Sequence, residues 1–435
     1  MYRQIIAFAL AAVCPLAGAM PSTAQEPTPT DVVRTEQAVR VFIDCPDFFC
    51  DQEFFRTEIN FASHVRERQD ADVHVLLTTQ RTGAGGTEFT LAFIGQRGFR
   101  GLDQTMRHIS PPAESTDRVR RALTQTIKRG LIPYVNRTSL AEQIQISYTP
   151  PTQQAAPAAA LDRWNYWTFR TSLNGFFNGE QRIASENLST SVSANRITQQ
   201  WKITNSANAR YYEQRFELNP ERTITTIQRN YGLNSLVVRS IGENFAAGAR
   251  ASLTSSTFLN QNFALRVAPA VEYNFFPYAE ATRRQFTLQY SVGSTAFDYN
   301  EETIFGRTSE TLLDHRLIAS LDVKQPWGSI STSVEGGSYL HDFSQQRGVI
   351  FSNIDLRLVR GLSLRSFGSV ALIRDQLHLP RRGASEEEIL LRQRQLATSY
   401  RYWGSVGLSY TFGSTFANVV NPRFSGSSGG MIIMD

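Results

Sequence analysis

The first residues that could do chemistry are two cysteines. Cys45 and Cys50 bound the stretch "CPDFFC", between the apolar run Val41-Phe42-Ile43 and a stretch of helical character. Such a pair can exchange electrons, hold a metal or form a structural disulfide. The spacing is not C-x-x-C, and no second ligand pair stands nearby to complete a metal site. His341 with Asp342 and Ser338, or His315 with Asp314, supply the residue types of a hydrolase. Strand neighbours point to opposite faces, so adjacency alone builds no nucleophile–base–orienter geometry. "GAGG", Gly83 to Gly86, has the composition of a phosphate cradle, but no helix N-terminus follows it, and a hairpin turn explains it better. Glu386 to Glu388 could bind a divalent cation; they read more simply as the acidic first turn of a short helix. The expectation is a non-enzymatic protein with no catalytic residues, no metal and no cofactor.

The fate of the cysteines depends on the compartment. The chain opens with Arg3, an apolar run from Ile5 to Ala19 and the small residues Ser22-Thr23-Ala24. This is the layout of a secretory signal peptide, expected over residues 1–24. Its removal takes Cys14 with it and leaves Cys45 and Cys50 as the only pair. An oxidising periplasm then favours a disulfide between them, pinning a strand end to a helix start. A catalytic thiol is the rival, since a helix N-terminus lowers thiol pKa. After the signal no run reaches the ~18 apolar residues of a membrane helix. Mean hydropathy is -0.28, but membrane β-barrels alternate apolar and polar residues and keep such averages low. The net charge of +5 comes without a basic-aromatic patch, so no nucleic acid partner is expected.

Residues 40–148 read as a small α/β domain of β-α-β-β-α order, with a further strand at "AEQIQISY". "DQEFFRTEINFASHVRERQ" places Phe55, Ile59, Ala62 and Val65 at helical spacing. "DVHVLLTTQ" and "TEFTLAFIG" form a hairpin about "RTGAGG". "DRVRRALTQTIKRGL" gives a second helix with Val119, Ala122, Leu123, Thr126 and Ile127 inward, closed by Gly130 with Pro133 beyond. Its Arg118, Arg121, Lys128 and Arg129 form a solvated face. The Pro- and Ala-rich residues 149–162 read as a linker.

From residue 163 to 412 alternation takes over. In "QFTLQYSVG", Phe286, Leu288, Tyr290 and Val292 share one face and Gln285, Thr287, Gln289 and Ser291 the other. Many runs reach the ~9–11 residues of a spanning strand, beyond the usual soluble length. Aromatics cluster at run ends, among them Trp167, Phe177, Phe275, Trp327, Tyr400, Tyr402 and Trp403, as interfacial girdles require. A soluble β-sandwich also alternates, but these lengths and girdles favour a transmembrane antiparallel β-barrel of about 12 strands. Strands are expected at 165–179, 187–204, 208–218, 222–241, 244–256, 262–276, 283–296, 311–324, 328–341, 347–359, 362–374 and 398–412. The segments before Gly242 also admit a count of ten. Pro269 implies a bulge or local break, because proline donates nothing to the ladder. An even count puts the α/β domain and the tail, 413–435, on one side.

Ser405, Gly407, Tyr410 and Phe412 lie in a polar-x-Gly-x-x-aromatic-x-aromatic pattern. It resembles the terminal-strand signal read by the bacterial barrel assembly machinery. "VFIDCPDFFCDQEFFRTEINFASHVRERQDADVHVLLTTQ", "EYNFFPYAEATRRQFTLQY", "QPWGSIS" and "SYTFGSTFANVVNPRF" together resemble a family of uncharacterised exported bacterial proteins. In that family a small periplasmic α/β domain precedes an outer-membrane barrel. The resemblance implies the architecture and the location, with no substrate and no catalytic residue.

In such a barrel Arg170, Arg250, Arg266, Arg357, Arg365 and Arg401, with Glu272, Asp322, Glu335 and Asp355, face the lumen. They either select solutes or fill a narrow interior with ion pairs; about twelve strands leave little room for an open pore. The expected function is anchoring or assembly in the envelope. The barrel would meet outer-membrane lipid, and the α/β module an unknown periplasmic or envelope partner. A selective small-solute channel is the alternative, and a barrel-embedded hydrolase the second alternative.

Overall fold

A computed structural model describes residues 38–45, 50–83, 85–143, 145, 162–219, 221–382 and 395–418. The expected signal peptide, nearly all of the linker, Glu386 to Glu388 and the last part of the tail lie outside them.

The N-terminal sheet has five strands in the order β2-β1-β3-β4-β5: β1 (Arg40–Asp44), β2 (Ser63–His64), β3 (Val73–Arg81), β4 (Thr87–Gly95) and β5 (Gln104–Ser110). β1 runs parallel to β2 and β3, and the rest is antiparallel. Val41, Ile43, Val73, Val75, Phe89, Leu91 and Phe93 form one buried face. Helix α2 (Thr116–Val135) covers it with Leu123, Ile127, Leu131 and Tyr134. The expected hairpin about Gly83–Gly86 is present, with Gly85 at φ 79°, where a side chain would be strained.

Three local expectations differ. The first helix stops early: α1 is Gln52–Glu58, and the chain then turns so that Ser63–His64 pairs with β1. Ile59, Ala62 and Val65 are buried as their spacing suggests, but from a turn and a short edge strand. Helix α2 runs through Gly130 and Pro133 to Val135. Gly130 is not a terminator; a Cβ there would lie 2.0 Å from the Phe93 ring, so the glycine permits close helix–sheet contact. An edge strand, β5, lies where none was expected; Ser139–Gln143 is a 3₁₀ turn, and residues 144 and 146–148 of the expected final strand lie outside the described residues.

The second sheet is a twelve-stranded antiparallel meander. Its strands are β6 (Trp167–Gly179), β7 (Ile183–Ile197), β8 (Trp201–Asn219), β9 (Arg222–Ile241), β10 (Phe245–Ser256) and β11 (Gln261–Asn274). They continue with β12 (Arg284–Tyr299), β13 (Ser309–Gln325), β14 (Gly328–Tyr339), β15 (Gln346–Val359), β16 (Leu362–Ile373) and β17 (Tyr400–Tyr410). The count agrees with twelve, but the boundary between the second and third strands moves. Thr198 to Gln200 is a turn inside the expected run 187–204, marked by no glycine or proline. Pro269 stays in β11: the ladder to β10 continues through it, while the ladder to β12 passes from Val267 to Ala270. The missing donor therefore falls on the β12 side.

The fold is a mainly β, twelve-stranded antiparallel barrel type preceded by an α/β domain. The sheet curls so that β10 to β17 wall one cavity. Among the described residues β6 and β17 are not paired with each other.

Candidate functional site

Register divides the residues of each strand between two faces. Leu173 on β6, Leu288 and Tyr290 on β12, Leu317 on β13 and Leu408 on β17 lie outward and exposed. Arg170, Arg250, Arg266, Glu272, Asp322, Glu335, Asp355, Arg357, Arg365 and Arg401 lie on the opposite, inner face. In the terminal pattern, Ser405 and Gly407 are inward; Tyr410 is outward, with the Phe412 ring stacked 5.7 Å away. One girdle assignment changes. Trp403 pairs with Ser369 and Ser369 with Phe351, so Trp403 belongs to the inner face rather than to an interfacial belt.

The inner charges form local groups. Arg266 holds Asp314 with Nε–Oδ1 at 3.0 Å and Nη2–Oδ2 at 2.6 Å. Arg316 reaches Asp314 at 3.3 Å and Glu335 at 3.6 Å. Arg365 pairs with Asp355 at 2.9 Å, and the Tyr278 hydroxyl donates to Glu272 at 2.8 Å. Above these pairs is a cavity of about 620 Å³. Loops roof it. The buried Asn260 side chain donates to the carbonyls of Glu301 and His378 at 2.9 and 3.0 Å and accepts from the Glu301 amide. Ile304 N donates to Leu379 O, and Gln395 N to Phe258 O. Asp314 was absent from the expected lumen set. Its even spacing from Asp322 on one strand is the signal that could have found it.

The opposite end, where the short turns 242–244, 326–327 and 360–361 lie, carries the α/β domain. Arg357 reaches out of β15 to Asp44 at the end of β1, with Nη1–Oδ2 at 2.8 Å and Nη2–Oδ1 at 2.5 Å. Its guanidinium also lies 5.7 Å from the Phe42 ring centroid. The His74 Nε2 is 3.1 Å from Asp44 Oδ2, the oxygen that also accepts from Arg357 Nη1. Burial works to raise the Asp44 carboxyl, but the His74 hydrogen bond and the Arg357 charge outweigh it and hold Asp44 below the ordinary range. Burial pushes the His74 imidazole down despite Asp44. Arg360 pairs with Asp70 at 2.7 Å, and the Gly361 amide donates to Glu67 at 3.2 Å.

The chain beyond the barrel adds a second tie. Phe416 bridges antiparallel to Val65. Arg66 N donates to Thr415 O at 3.0 Å, and Ala417 N to His64 O at 2.9 Å. The segment after the last barrel strand thus extends the edge of the α/β sheet next to β2. Cys45 and Cys50 are disulfide-bonded, with Cα atoms 6.1 Å apart, immediately after Asp44. The bond fixes the strand end that Arg357 grips. Neither the Arg357–Asp44 pair nor the tail contact had a local sequence signal.

Neither expected hydrolase set assembles, although one member of each, His315 and Ser338, come together. Asp314 is committed to Arg266, and Asp342 accepts from Ser344 at 2.9 and 2.7 Å. His315 Nε2 lies 2.9 Å from Ser338 Oγ, while the His341 ring sits against Tyr339. Among the described residues no cluster of three or more His, Cys, Asp or Glu side chains could hold a metal. Among the described residues no helix is long and apolar enough to cross a membrane.

No protein family matches the chain, and no curated protein aligns with it significantly. Among solved structures, a NanC porin resembles it at 9% identity over 56% of this chain and 99% of that chain, with a TM-score of 0.26. The translocator domain of the autotransporter NalP from Neisseria meningitidis resembles it at 11% identity over 57% of this chain and 81% of that chain, with a TM-score of 0.19. At such scores these likenesses bear no weight; the fold rests on the strand register above.

Proposed function

We propose that this protein is an outer-membrane β-barrel that holds its α/β domain on the periplasmic face, as a non-enzymatic anchoring or assembly element. The Arg357–Asp44 clamp carries this reading, because it ties the domain to the short-turn end of the barrel. Outward Leu288, Tyr290, Leu317 and Leu408 would meet lipid, and inward charges would be shielded from it. A bilayer tolerates no free sheet edge, so β6 and β17 must pair there; their antiparallel directions permit it. Tyr410 and Phe412 would be read by the barrel assembly machinery. The domain's exposed Arg118 and Arg121 offer a face to an acidic envelope partner.

Cysteine labelling in intact Gram-negative cells tests the arrangement. Glu302→Cys, in an outer loop, should react with an impermeant maleimide. Arg107→Cys, on the domain, should react only after the outer membrane is permeabilised. Equal labelling of both in intact cells would overturn the topology. Heat-modifiable migration in detergent gels tests closure of the barrel.

A second reading, passage of a small solute, is favoured by the roofed cavity. It predicts conductance in planar bilayers that changes in Arg266→Ala. A silent bilayer would remove it.

A further inference from the structure

We propose that the inner wall formed by β15, β16 and β17 binds a small organic anion with a flat apolar face, its carboxylate on Arg401 and its ring against Trp403. Trp403, Phe351 and Phe367 are all on the inner face, and Phe351 and Phe367, away from the sheet edge formed by β17, are 40% and 49% exposed. Aromatic surface left half open beside a charged side chain is a recognition feature. The three rings form one cluster, with Trp403 6.2 Å from Phe351 and 5.9 Å from Phe367 between centroids.

Small residues open a trough between them. Ser369 sits in register between Phe351 and Trp403, and Ala371 between Val349 and Arg401. Arg401 is two residues before Trp403 on the same face and lines the cavity. Arg266, Arg316 and Arg347 in the same cavity each have a carboxylate within 4 Å: Asp314, Asp314 with Glu335, and Asp375. Arg401 has no carboxylate partner among the described residues. A guanidinium with free donors beside an aromatic wall matches a planar carboxylate, which it can bind through two parallel hydrogen bonds. Ser369 adds a hydroxyl between the rings. Binding at this wall does not require the barrel to conduct.

Isothermal titration of the full-length protein in detergent with 4-hydroxybenzoate tests it. 4-Hydroxybenzamide, which keeps the ring and removes the charge, and acetate, which keeps the charge and removes the ring, are the comparisons. We expect saturable binding of 4-hydroxybenzoate, at least about tenfold tighter than either comparison, as a charged hydrogen-bonded pair warrants. Arg401→Gln and Trp403→Ala should each weaken it by about tenfold or more. Arg381→Gln, in an outer loop and paired with Glu302, should leave it unchanged. Equal binding of the amide, undiminished binding in Arg401→Gln, or no saturable heat would each overturn the site. The acid-to-amide ratio of the unmodified protein reads the charge requirement independently of any variant's folding.

Discussion

Arg357 and Asp44 stand 313 positions apart in the chain and meet through two hydrogen bonds of 2.8 and 2.5 Å. One belongs to the inner face of a barrel strand and the other to the edge of an α/β core. Their contact makes the two parts one mechanical unit. His74 shares this carboxylate, Phe42 lies against the Arg357 guanidinium, and the disulfide follows Asp44 directly in sequence.

Arg357→Ala should loosen the domain. It removes a charge-assisted pair and leaves Asp44 buried with His74 alone, at a cost of about 1–3 kcal/mol. A Val65→Cys/Phe416→Cys pair should crosslink efficiently in the otherwise unaltered protein and less so when Arg357→Ala is added. Undiminished crosslinking would show that the tail contact holds the domain without the clamp.

The disulfide should matter mainly to the domain. Its loop is short, so the chain-entropy contribution is about 2 kcal/mol. Cys45→Ala with Cys50→Ala should lower the calorimetric transition of the domain and spare that of the barrel. Thiol counting on the exported protein should find no free thiols; two would refute the bond.

Acidification should weaken the docked domain. The folded-state value of His74 is depressed below the ordinary 6.5. Its contribution is fully present above that value and is lost as pH falls from there through the folded value, because only the unfolded chain takes up the proton in that window. Asp44, also depressed, adds a further loss below its ordinary 3.8. The domain's Tm should therefore fall from about pH 6.5 downward, with a shallower slope in His74→Gln. An unchanged slope in that variant would exclude His74 as a source.

Adjacent residues on β12 should behave oppositely. Leu288→Arg puts a charge on the outward side and, with lipid there as proposed, should cost about 2–4 kcal/mol in urea unfolding from lipid vesicles. Gln289→Arg, one residue on and inward, should cost little. Equal effects would argue against a bilayer around this sheet.

Gly130→Ala should destabilise the domain by about 1–3 kcal/mol, since the added methyl meets the Phe93 ring. Phe93→Leu in the same chain should recover part of the loss, read from the domain's calorimetric transition.

Much of this was legible in the chain. "QFTLQYSVG" alternates because one face of β12 is apolar and the other polar, and backbone pleating converts that directly into sequence period. The misjoined run 187–204 shows the limit: Ile197-Thr198-Gln199-Gln200-Trp201 turns without glycine or proline. Ile59, Ala62 and Val65 were recognisable as core residues but not as turn and edge strand. Burial leaves a local mark, while the backbone path around them depends on β1 accepting Ser63–His64 as a parallel neighbour. Strand β5 escaped because an edge strand buries few side chains and carries a weak apolar signal.

The sequence by itself determined the local periods: two residues through the barrel, helical through α2, and the cysteine pair beside β1. Those follow from which face of each element meets an apolar surface. Only the tertiary structure decided that Arg357 grips Asp44, that Thr415 to Asn418 joins the edge of the α/β sheet, and that Trp403 faces inward beside Arg401. Strand register and the curl of the sheet set these meetings. Both arise from summed backbone pairing over the whole barrel, which leaves no mark at any one position.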